Sequence, residues 1–544
     1  MRCCSFKTFV RTLAVESLAA IAICFLFCSW TPAAARVDDK LRTRAERALR
    51  EGDFPEAEQL YRELLGKDSH DNKARLGLSL ALLKQRNLQD AYDHAARVIV
   101  ADPLSARAHA LLGATILASG DFHLSVEEFR TALSLNEDEA MAVAGLAMVD
   151  FYENRTDSAI KGLRRAAGLA PYEADYVFEL GQAAARTERY KEAADSYERF
   201  LAIAPKTDAD RRARIRGLIE FLRYLGQQHS LYDLAGGNRT TIPFESNDGL
   251  PILTVKVNGE KNPLHFVLDT GSGMSVVSEA TAKRLGMRPI ARGGLARAVG
   301  GGGRFEIVYG FLSSLEVGEV RVENVPVYIR HFYDEKTQVD GYLGLSVISK
   351  FITSIDYGQH TFTLARTRSS ESGDPWNIVY HSDQQPLDAT RAKPFGVEIP
   401  LRTTSSGFMS GEVRIEGVDK VWNFIIDTGA SISVVSEELA VAEGMSGYEQ
   451  KERTRVYGAA GVTENVKTLL LPYVTLGTLT KERISAAVLD LDPVNETSGF
   501  RQSGILGSNF LQHFRVSFDF QRGVIRLEPL SRAKASDGTK PEEM

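Results

Sequence analysis

The chain contains the stretch FVLDTGSGMSVVSE, from Phe266 to Glu279, and a close copy of it, FIIDTGASISVVSE, from Phe424 to Glu437. Each copy is an apolar run, the triplet Asp-Thr-Gly and a β-branched run, which predicts a strand, a turn and a second strand. The first run ends in an acidic residue in both copies, Asp269 and Asp427. A carboxylate at the end of a buried strand costs free energy unless it is hydrogen-bonded or neutralised. The repetition therefore indicates that the two aspartates act together.

The duplication extends well beyond these stretches. Gly286 and Gly444 keep the offset that separates the two aspartates, 427 − 269 = 158. Downstream, the segment VDGYLGLSVI from Val339 corresponds to QSGILGSNFL from Gln502. Both copies alternate β-branched residues with glycine turns, which is typical of sheets. The predicted boundaries are a lobe at 240–366, a polar linker at 367–394, a second lobe at 395–531 and a disordered tail at 532–544.

Pairing of the lobes resolves the cost of the two buried carboxylates. If the lobes pack about a pseudo-twofold axis, Asp269 and Asp427 meet at its centre and share one proton, because two carboxyl groups so close cannot both ionise. The ionised member can then activate a water molecule while the protonated member stabilises an oxyanion. This chemistry requires no cofactor or metal. No group of histidine, cysteine and carboxylate residues has metal-ligand spacing.

The strand into Asp-Thr-Gly-Ser or Asp-Thr-Gly-Ala, the SVVS strand and the later YLG and ILG segments together resemble the pepsin and retropepsin class of aspartic peptidases. The copies have nearly the retroviral size, so the chain is similar to two retropepsin-like lobes fused in tandem. The resemblance implies a catalytic pair, Asp269 and Asp427, and a polypeptide substrate bound in extended form. Each glycine of the triplets should allow a tight turn and present its N–H group to a carboxylate. The residues expected to support the pair are Thr270, Gly271, Ser272, Thr428, Gly429 and Ala430.

The resemblance further implies that the hydroxyl groups of Thr270 and Thr428 interlock across the axis. Ser272 and Ala430 differ between the copies, so we expect unequal surroundings for the two carboxylates. Serine is the pepsin-like choice at this position and alanine the retroviral one.

Each lobe also contains a glycine-bearing hairpin that could cover a substrate. The segment ARAVGGGGRFEIVYG predicts a strand, a mobile tip and a strand. In the second lobe TRVYGAAGVTENVK predicts the same arrangement. A plain flexible loop is the alternative, and a phosphate-binding loop fits less well because neither a helix N-terminus nor a lysine follows. The flap candidates are Gly300, Gly301, Gly302 and Gly303 in the first lobe and Tyr457 and Gly458 in the second.

The N-terminal part repeats with a period of 34 residues. Small residues recur at this step as Ala57, Ala91, Ser125, Ala159 and Ala193. The period and placement resemble the tetratricopeptide repeat, in which each helix pair buries its apolar face against its neighbours. We predict a solenoid over 36–227 that includes a capping helix from Ala209 to Gln227. Such arrays offer a surface to a protein or peptide partner, and a spacer that aids folding or self-association is the alternative.

The first 35 residues have the order of a secretory signal: Arg2, Lys7 and Arg11, then SLAAIAICFLFCSW, then small residues near Ala35. We therefore expect export, to a periplasm or outside the cell. An uncleaved segment would instead anchor the chain in the inner membrane. All four cysteines lie in this segment, so a mature chain would contain no disulfide. The net charge of −6 gives no sign of a nucleic-acid partner.

Together these patterns predict a multidomain protein, an all-α tetratricopeptide solenoid followed by an all-β, bilobed, acid-protease-like region. The predicted activity is aspartic-type endopeptidase. One alternative is a catalytically silent scaffold in the export compartment that acts through its repeats. The other is a homodimer in which each catalytic pair forms between two chains.

Overall fold

A computed structural model of the chain describes residues 33–228, 230–334, 338–366 and 396–530. The predicted signal segment lies almost entirely outside these residues, and so do the predicted linker at 367–394 and the predicted tail at 532–544. The described residues divide into two compact units, 33–112 with 205–207 and 113–204 with 208–530.

The first unit consists of consecutive helices joined by short connections. These are α1 (Ala33–Glu51), α2 (Phe54–Lys67), α3 (Asn72–Lys84), α4 (Leu88–Ala101) and the first half of α5 (Ala106–Ser119). Aspartates start two of them: the side chain of Asp53 accepts the N–H of Glu56, and that of Asp71 accepts the N–H of Ala74. Such caps satisfy backbone donors that the first helical turn leaves free.

The second unit continues the helical repeat and closes it. Its helices are the rest of α5, α6 (Phe122–Leu135), α7 (Ala140–Tyr152), α8 (Thr156–Leu169), α9 (Ala174–Arg186), α10 (Tyr190–Ile203) and α11 (Ala209–Leu225). Small residues are needed where neighbouring helices meet. A Cβ atom on Gly145 would lie 2.5 Å from Cε2 of Phe129, whose ring is fully buried. The absence of a side chain at Gly145 therefore allows α6 and α7 to approach closely.

The first lobe begins at Asp233, somewhat before the predicted boundary at 240. Its strands and short helices are β1 (Asp233–Gly236), β2 (Arg239–Asn247), β3 (Leu250–Val257), β4 (Leu264–Leu268), β5 (Val276–Ser278), α12 (Glu279–Arg284), β6 (Ala291–Arg297), β7 (Arg304–Val317), β8 (Val320–Arg330), β9 (Gly341–Leu343), α13 (Leu345–Ile348), β10 (Ile352–Asp356) and β11 (Thr361–Ala365). Strand β3 shows why the sequence forms a half-buried sheet: Leu253, Val255 and Val257 are buried, and Thr254 and Lys256 between them are exposed.

The second lobe repeats this order of elements. It contains β12 (Val397–Pro400), β13 (Arg402–Thr403), β14 (Met409–Ile415), β15 (Trp422–Ile426), β16 (Ser433–Ser436), α14 (Glu437–Ala442), β17 (Thr454–Gly458), β18 (Gly461–Val466), β19 (Thr468–Leu476), β20 (Leu479–Leu489), α15 (Asp492–Ser498), β21 (Gly504–Leu506), α16 (Ser508–Leu511), β22 (Phe514–Asp519) and β23 (Val524–Pro529). In both lobes the strand into the Asp-Thr-Gly triplet pairs in parallel with the strand of the YLG or ILG segment.

A shared sheet connects the two lobes. Its strand order is β12-β23-β22-β10-β11-β2, and the antiparallel pairing of β10 with β22 crosses from one lobe to the other. Asp356, at the end of β10, accepts from Nε and Nη2 of Arg515 on β22 at 2.8 and 2.5 Å. Asp356 therefore forms an ion pair between the lobes and lies apart from Asp269 and Asp427.

Helices of the repeat pack on the second lobe. The rings of Phe122 and Tyr152 contact the fully buried ring of Phe500 at centroid distances of 4.9 and 5.0 Å. The side-chain amide of Asn154 donates to the carbonyl of Phe520 at 3.2 Å, and Arg186 donates to the carbonyl of Thr404. The helices of the second unit and the lobes therefore share one hydrophobic and polar interface.

Candidate active site

The two Asp-Thr-Gly loops are fixed at their starts by matched backbone hydrogen bonds. The N–H of Asp269 donates to the carbonyl of Leu343, and the N–H of Asp427 donates to the carbonyl of Leu506, both at 3.0 Å. Leu343 and Leu506 are the leucines of the YLG and ILG segments. These segments therefore hold the ends of β4 and β15 in equivalent positions, which explains why they are duplicated together with the triplets.

The two threonines interlock across the lobes. The hydroxyl of Thr270 donates to the carbonyl of Ile426 at 2.8 Å, and the hydroxyl of Thr428 donates to the carbonyl of Leu268 at 2.7 Å. Each hydroxyl also accepts the N–H of the opposite threonine, at 3.0 and 3.1 Å. Both side chains are fully buried. The arrangement predicted from the resemblance is thus present, and it joins the loops through four hydrogen bonds.

Glycine is required at the third position of each triplet because the opposite carboxyl group lies against it. A Cβ atom on Gly271 would be 2.5 Å from Oδ1 of Asp427, and one on Gly429 would be 2.5 Å from Oδ1 of Asp269. Each glycine N–H donates to the aspartate of its own loop, at 2.8 Å for Gly271 and 2.7 Å for Gly429. The two carboxyl groups therefore meet, and each accepts a backbone donor.

The electrostatic surroundings favour a shared proton. Burial raises the pKa of Asp269 well above its ordinary value, and the neighbouring charge of Asp427 raises it further. Burial also raises the pKa of Asp427, and the N–H of Gly429 opposes this increase by stabilising the ionised form. Because both pKa values are raised, the pair holds a proton at pH values where a free carboxyl group has lost it.

The residues after the triplets support the loops from behind. The hydroxyl of Ser272 donates to the carbonyl of Met274 at 2.7 Å. In the second lobe, the carbonyl of Ala430 accepts the N–H of Ser508 at 2.7 Å, and the hydroxyl of Ser508 donates to the carbonyl of Thr428 at 2.9 Å. The two loops are therefore stabilised differently, because the Ser272 hydroxyl donates a hydrogen bond to a backbone carbonyl and Ala430 has no hydroxyl group.

The two glycine hairpins meet at their tips. We call β6–β7 flap 1 and β17–β18 flap 2. The four glycines from Gly300 to Gly303 connect the strands of flap 1, and the first three have positive φ angles of 76°, 89° and 58°. The N–H of Gly301 donates to Oγ1 of Thr463 in flap 2 at 2.6 Å. A Cβ atom on Gly300 would lie 3.0 Å from Cα of Gly458. Glycine at these tips therefore allows backbone to contact backbone.

Tyr457 lies in flap 2 on strand β17 and is 37% exposed. Its hydroxyl accepts from Nη1 of Arg455 at 3.4 Å. Arg297 of flap 1 forms ion pairs with Asp490 and Glu496 of the second lobe, at 3.4 and 2.6 Å. Contacts between the lobes therefore extend from the flap tips along the side of flap 1.

Comparison with known proteins agrees with this geometry. The family model described as "Aspartyl protease" matches residues 253–347 and again residues 411–510, one match for each lobe. The family model described as "Tetratricopeptide repeat" matches residues 42–106 and 145–207. The chain carries tetratricopeptide repeats and two retropepsin-like aspartyl protease lobes.

Solved structures were also compared. An aspartic proteinase from Irpex lacteus is 14% identical, with 55% of this chain and 99% of that chain covered at a TM-score of 0.35. A thermophilic tetratricopeptide-repeat protein from Thermus thermophilus is 19% identical, with 34% and 98% covered at a TM-score of 0.30. The protein MamA is 20% identical, with 31% and 92% covered at a TM-score of 0.22. No curated protein matches the chain.

Helix α11 contacts flap 1 of the first protease lobe, which the sequence did not indicate. Arg214 donates from Nη1 to the carbonyl of Leu295 at 2.9 Å, and Asp210 forms an ion pair with Arg304. The ring of Phe221 stacks on that of Tyr309 at a centroid distance of 4.2 Å. The predicted capping helix therefore also supports the protease flap.

Two further residues beside the catalytic pair were also missed. Tyr342 lies in the YLG segment, and burial together with the charge of Asp269 raises the pKa of its hydroxyl to about 12. Arg330 is the last residue of β8, and its charge lowers the pKa of Asp269. Arg330 belongs to no motif, and Tyr342 is the variable first residue of the YLG segment, which is Ile505 in the second copy. The one feature of the sequence that could have identified Arg330 is that a single arginine ends an otherwise largely apolar strand.

Among the described residues, no group of three or more histidine, cysteine, aspartate or glutamate side chains is arranged to hold a metal ion. Within the same residues, no helix combines the length and the apolar character needed to cross a membrane.

Proposed function

We propose that the protein is an aspartic endopeptidase whose catalytic groups are Asp269 and Asp427 of one chain. The observation that carries this proposal is the meeting of two half-buried carboxyl groups with raised pKa values between loops joined by Thr270 and Thr428. Burying two carboxyl groups costs free energy, and a pair of apolar side chains would stabilise the fold at least as well. Perturbed pKa values of this kind are typical of catalytic groups.

The chemistry follows from the shared proton. The ionised carboxylate takes a proton from a water molecule held between the pair, and the resulting hydroxide adds to the carbonyl carbon of a peptide bond. The protonated carboxyl group donates its proton to the carbonyl oxygen. In the second step, a hydroxyl proton returns to the pair, the amide nitrogen takes a proton and the C–N bond breaks. The pair ends with one proton, as it began.

The flaps define how a substrate is held. The tips of flap 1 and flap 2 contact each other at Gly301 and Thr463, and the backbone groups of their strands can pair with an extended polypeptide. The flap tips are in contact, so entry of a polypeptide requires that the hydrogen bond between Gly301 and Thr463 opens. We propose an extended polypeptide substrate for this reason.

The tetratricopeptide helices would bind a protein partner or the substrate protein. Repeats of this family are interaction surfaces, and here helices of the second unit pack directly on a protease lobe. We also propose export to a periplasm or to the outside of the cell, on the basis of the N-terminal order of charged, apolar and small residues.

The experiment is cleavage of a peptide library at about pH 3 to 8, the range over which carboxyl groups with raised pKa values titrate. The full chain is compared with Asp269→Asn, Asp427→Asn and a control, Glu245→Gln, which changes an exposed carboxylate on β2. We expect cleavage by the wild type and the control and a loss of about a thousandfold or more in both aspartate variants. Cleavage that survives either aspartate substitution would contradict the proposal.

A further inference from the structure

Arg330 lies among aromatic side chains next to the catalytic pair. Its Cζ atom is 5.2 Å from the ring centroid of Phe305, which belongs to strand β7 of flap 1. On the other side, Tyr342 lies next to Leu343, whose carbonyl holds the N–H of Asp269. The ring of Phe332 packs against that of Tyr342 at 4.9 Å. The guanidinium group thus lies against a strand of flap 1 and interacts electrostatically with Tyr342 on the strand that supports Asp269.

Arg330 is half-buried and forms no ion pair in the part of the chain that the structure describes. Its Nε atom is buried and has no hydrogen-bond partner, and no described carboxylate lies within ion-pair distance of the group. Other arginines nearby are paired: Arg297 with Glu496, Arg304 with Asp210 and Arg321 with Glu316. Burial of an unpaired cation costs free energy, which a bound anion would recover.

The carboxylates of the catalytic pair do not fill this role. Burial raises the pKa of both carboxyl groups, which favours their neutral forms, and each accepts the N–H of its own triplet glycine, Gly271 or Gly429. The guanidinium group has five N–H donors arranged to bind a carboxylate. The guanidinium group of Arg330 can therefore bind a carboxylate of the substrate.

The fold itself does not require a cation here. Arg330 pairs with Ser278 in the register of β8 and β5, and the corresponding pair in the second lobe is Leu489 with Ser436. Leu489 is buried in the apolar core of its lobe. One lobe therefore has an arginine where the other, with the same fold, has a leucine, so the arginine is a local specialisation of the first lobe.

We propose that Arg330 selects substrates with an aspartate or glutamate side chain next to the bond that is cleaved. This inference rests on the proposed peptidase function. The substrate carbonyl must lie on the catalytic pair, so the neighbouring side chain on the lobe 1 side enters the space bordered by Phe305, Phe332 and Tyr342. The aliphatic part of an acidic side chain packs on these rings while its carboxylate binds the guanidinium group.

The test separates binding from cleavage. The full chain carrying Asp427→Asn is immobilised and incubated with a peptide library whose C-termini are amidated, and captured peptides are identified by mass spectrometry. We expect aspartate and glutamate to exceed asparagine and glutamine at one position by about tenfold or more, because hydrogen bonds to charged groups contribute on this scale. Adding Arg330→Gln should abolish the enrichment, whereas Arg330→Lys should keep a reduced enrichment.

The matched control is Arg321→Gln, which removes an exposed arginine from the same strand and should leave the enrichment unchanged. Absence of acidic enrichment, or enrichment that persists with Arg330→Gln, overturns the inference. Capture that requires a free C-terminus also overturns it and assigns the cation to a chain-terminal carboxylate. If acidic peptides are captured but the chain with an intact Asp427 cleaves none of them, the peptidase proposal fails and the anion site stands. If cleavage occurs without acidic preference, only the anion site fails.

Discussion

Thr270 and Thr428 join the two loops that carry the carboxyl groups of Asp269 and Asp427. Each threonine hydroxyl both donates to and accepts from the opposite lobe, so neither loop can shift without breaking buried hydrogen bonds. A buried donor or acceptor left without a partner costs about 1–3 kcal/mol. This network stabilises the close contact of Asp269 and Asp427, which is itself unfavourable when both are ionised.

The pair should make the stability of the folded chain depend on pH. In the folded chain the carboxyl groups have raised pKa values, so they keep a proton at pH values where unfolded carboxyl groups, with an ordinary value of 3.8, have lost it. Unfolding therefore releases protons in this window. The contribution of the pair to stability falls as the pH rises from the ordinary value through the raised values.

Asp269→Asn removes the loss of stability that the wild-type pair suffers as the pH rises. The melting temperature of the variant minus that of the wild type should therefore be larger at about pH 7 than at about pH 4. One kcal/mol corresponds to about 2–4 °C in a domain of this size. The difference is measured by thermal unfolding of the full chain at both pH values, with Glu245→Gln as control. A difference that does not change with pH, or that decreases, would show that the carboxyl groups are not held close together.

Among single residues, the sequence predicted those that occur in both lobes. Asp269 and Asp427, their threonines and their glycines could be identified because each occurs twice at a constant offset within a strand-turn-strand pattern. Arg330 could not be identified, because its register partner in the second lobe is Leu489. The position of its side chain next to Phe305 depends on how flap 1 folds over the lobe.

Flap 1 is held on its outer side by helix α11. The backbone of β6 packs directly on the helix at Gly217, where a Cβ atom would lie 2.5 Å from Cα of Gly293. Together with the contacts of Arg214 and Asp210, this makes the helix part of the support of the flap. Movement of the flap away from the catalytic pair must therefore either carry the helix along or separate from it.

Gly217→Ala should force β6 away from α11. Overpacking of this kind costs about 1–3 kcal/mol, and we expect faster hydrogen exchange of the amides in β6 together with lower stability in urea. The control is Gly168→Ala in helix α8, where a Cβ atom would meet no atom within 4 Å. This control should be neutral or stabilising by up to about 1 kcal/mol, because alanine favours helix. Equal behaviour of the two variants would show that α11 does not hold the flap.

The sequence predicted both flaps from their glycine-bearing hairpins, and it predicted α11 from the end of the repeat. The contact between these elements was not predicted. An amphipathic helix shows that one face must be buried, but hydrophobic periodicity does not distinguish a neighbouring helix from a strand that lies about 75 residues later in the chain.

On the scale of the whole molecule, a fold of helices followed by sheets was predicted and is confirmed. The 34-residue period and the duplicated lobes are both long-range regularities, so they can be recognised from the sequence alone. The interface between the helices of the second unit and the second lobe could not be predicted from the sequence. It depends on single aromatic residues such as Phe122, Tyr152 and Phe500, which do not recur in a way that marks them as interface residues.

This interface also affects how the function can be tested. Phe500 is fully buried between repeat helices and the lobe, and Phe221 of α11 is buried against flap 1. Removal of the helices would expose Phe500 and the ring of Tyr309 in flap 1, so a loss of activity in an isolated protease region would not distinguish recruitment of substrate from loss of structure. Experiments on the catalytic pair are therefore best made with the full chain.

The most direct test of the catalytic pair is the activity of an equimolar mixture of Asp269→Asn and Asp427→Asn chains, measured beside the wild type on a peptide that the wild type cleaves. In the structure both carboxyl groups come from one chain, and the threonines that lock their loops do too. The account predicts an active wild type and a mixture as inactive as either variant alone. Recovery of activity in the mixture would show that the pair forms between chains, and an inactive wild type would contradict the proposed peptidase.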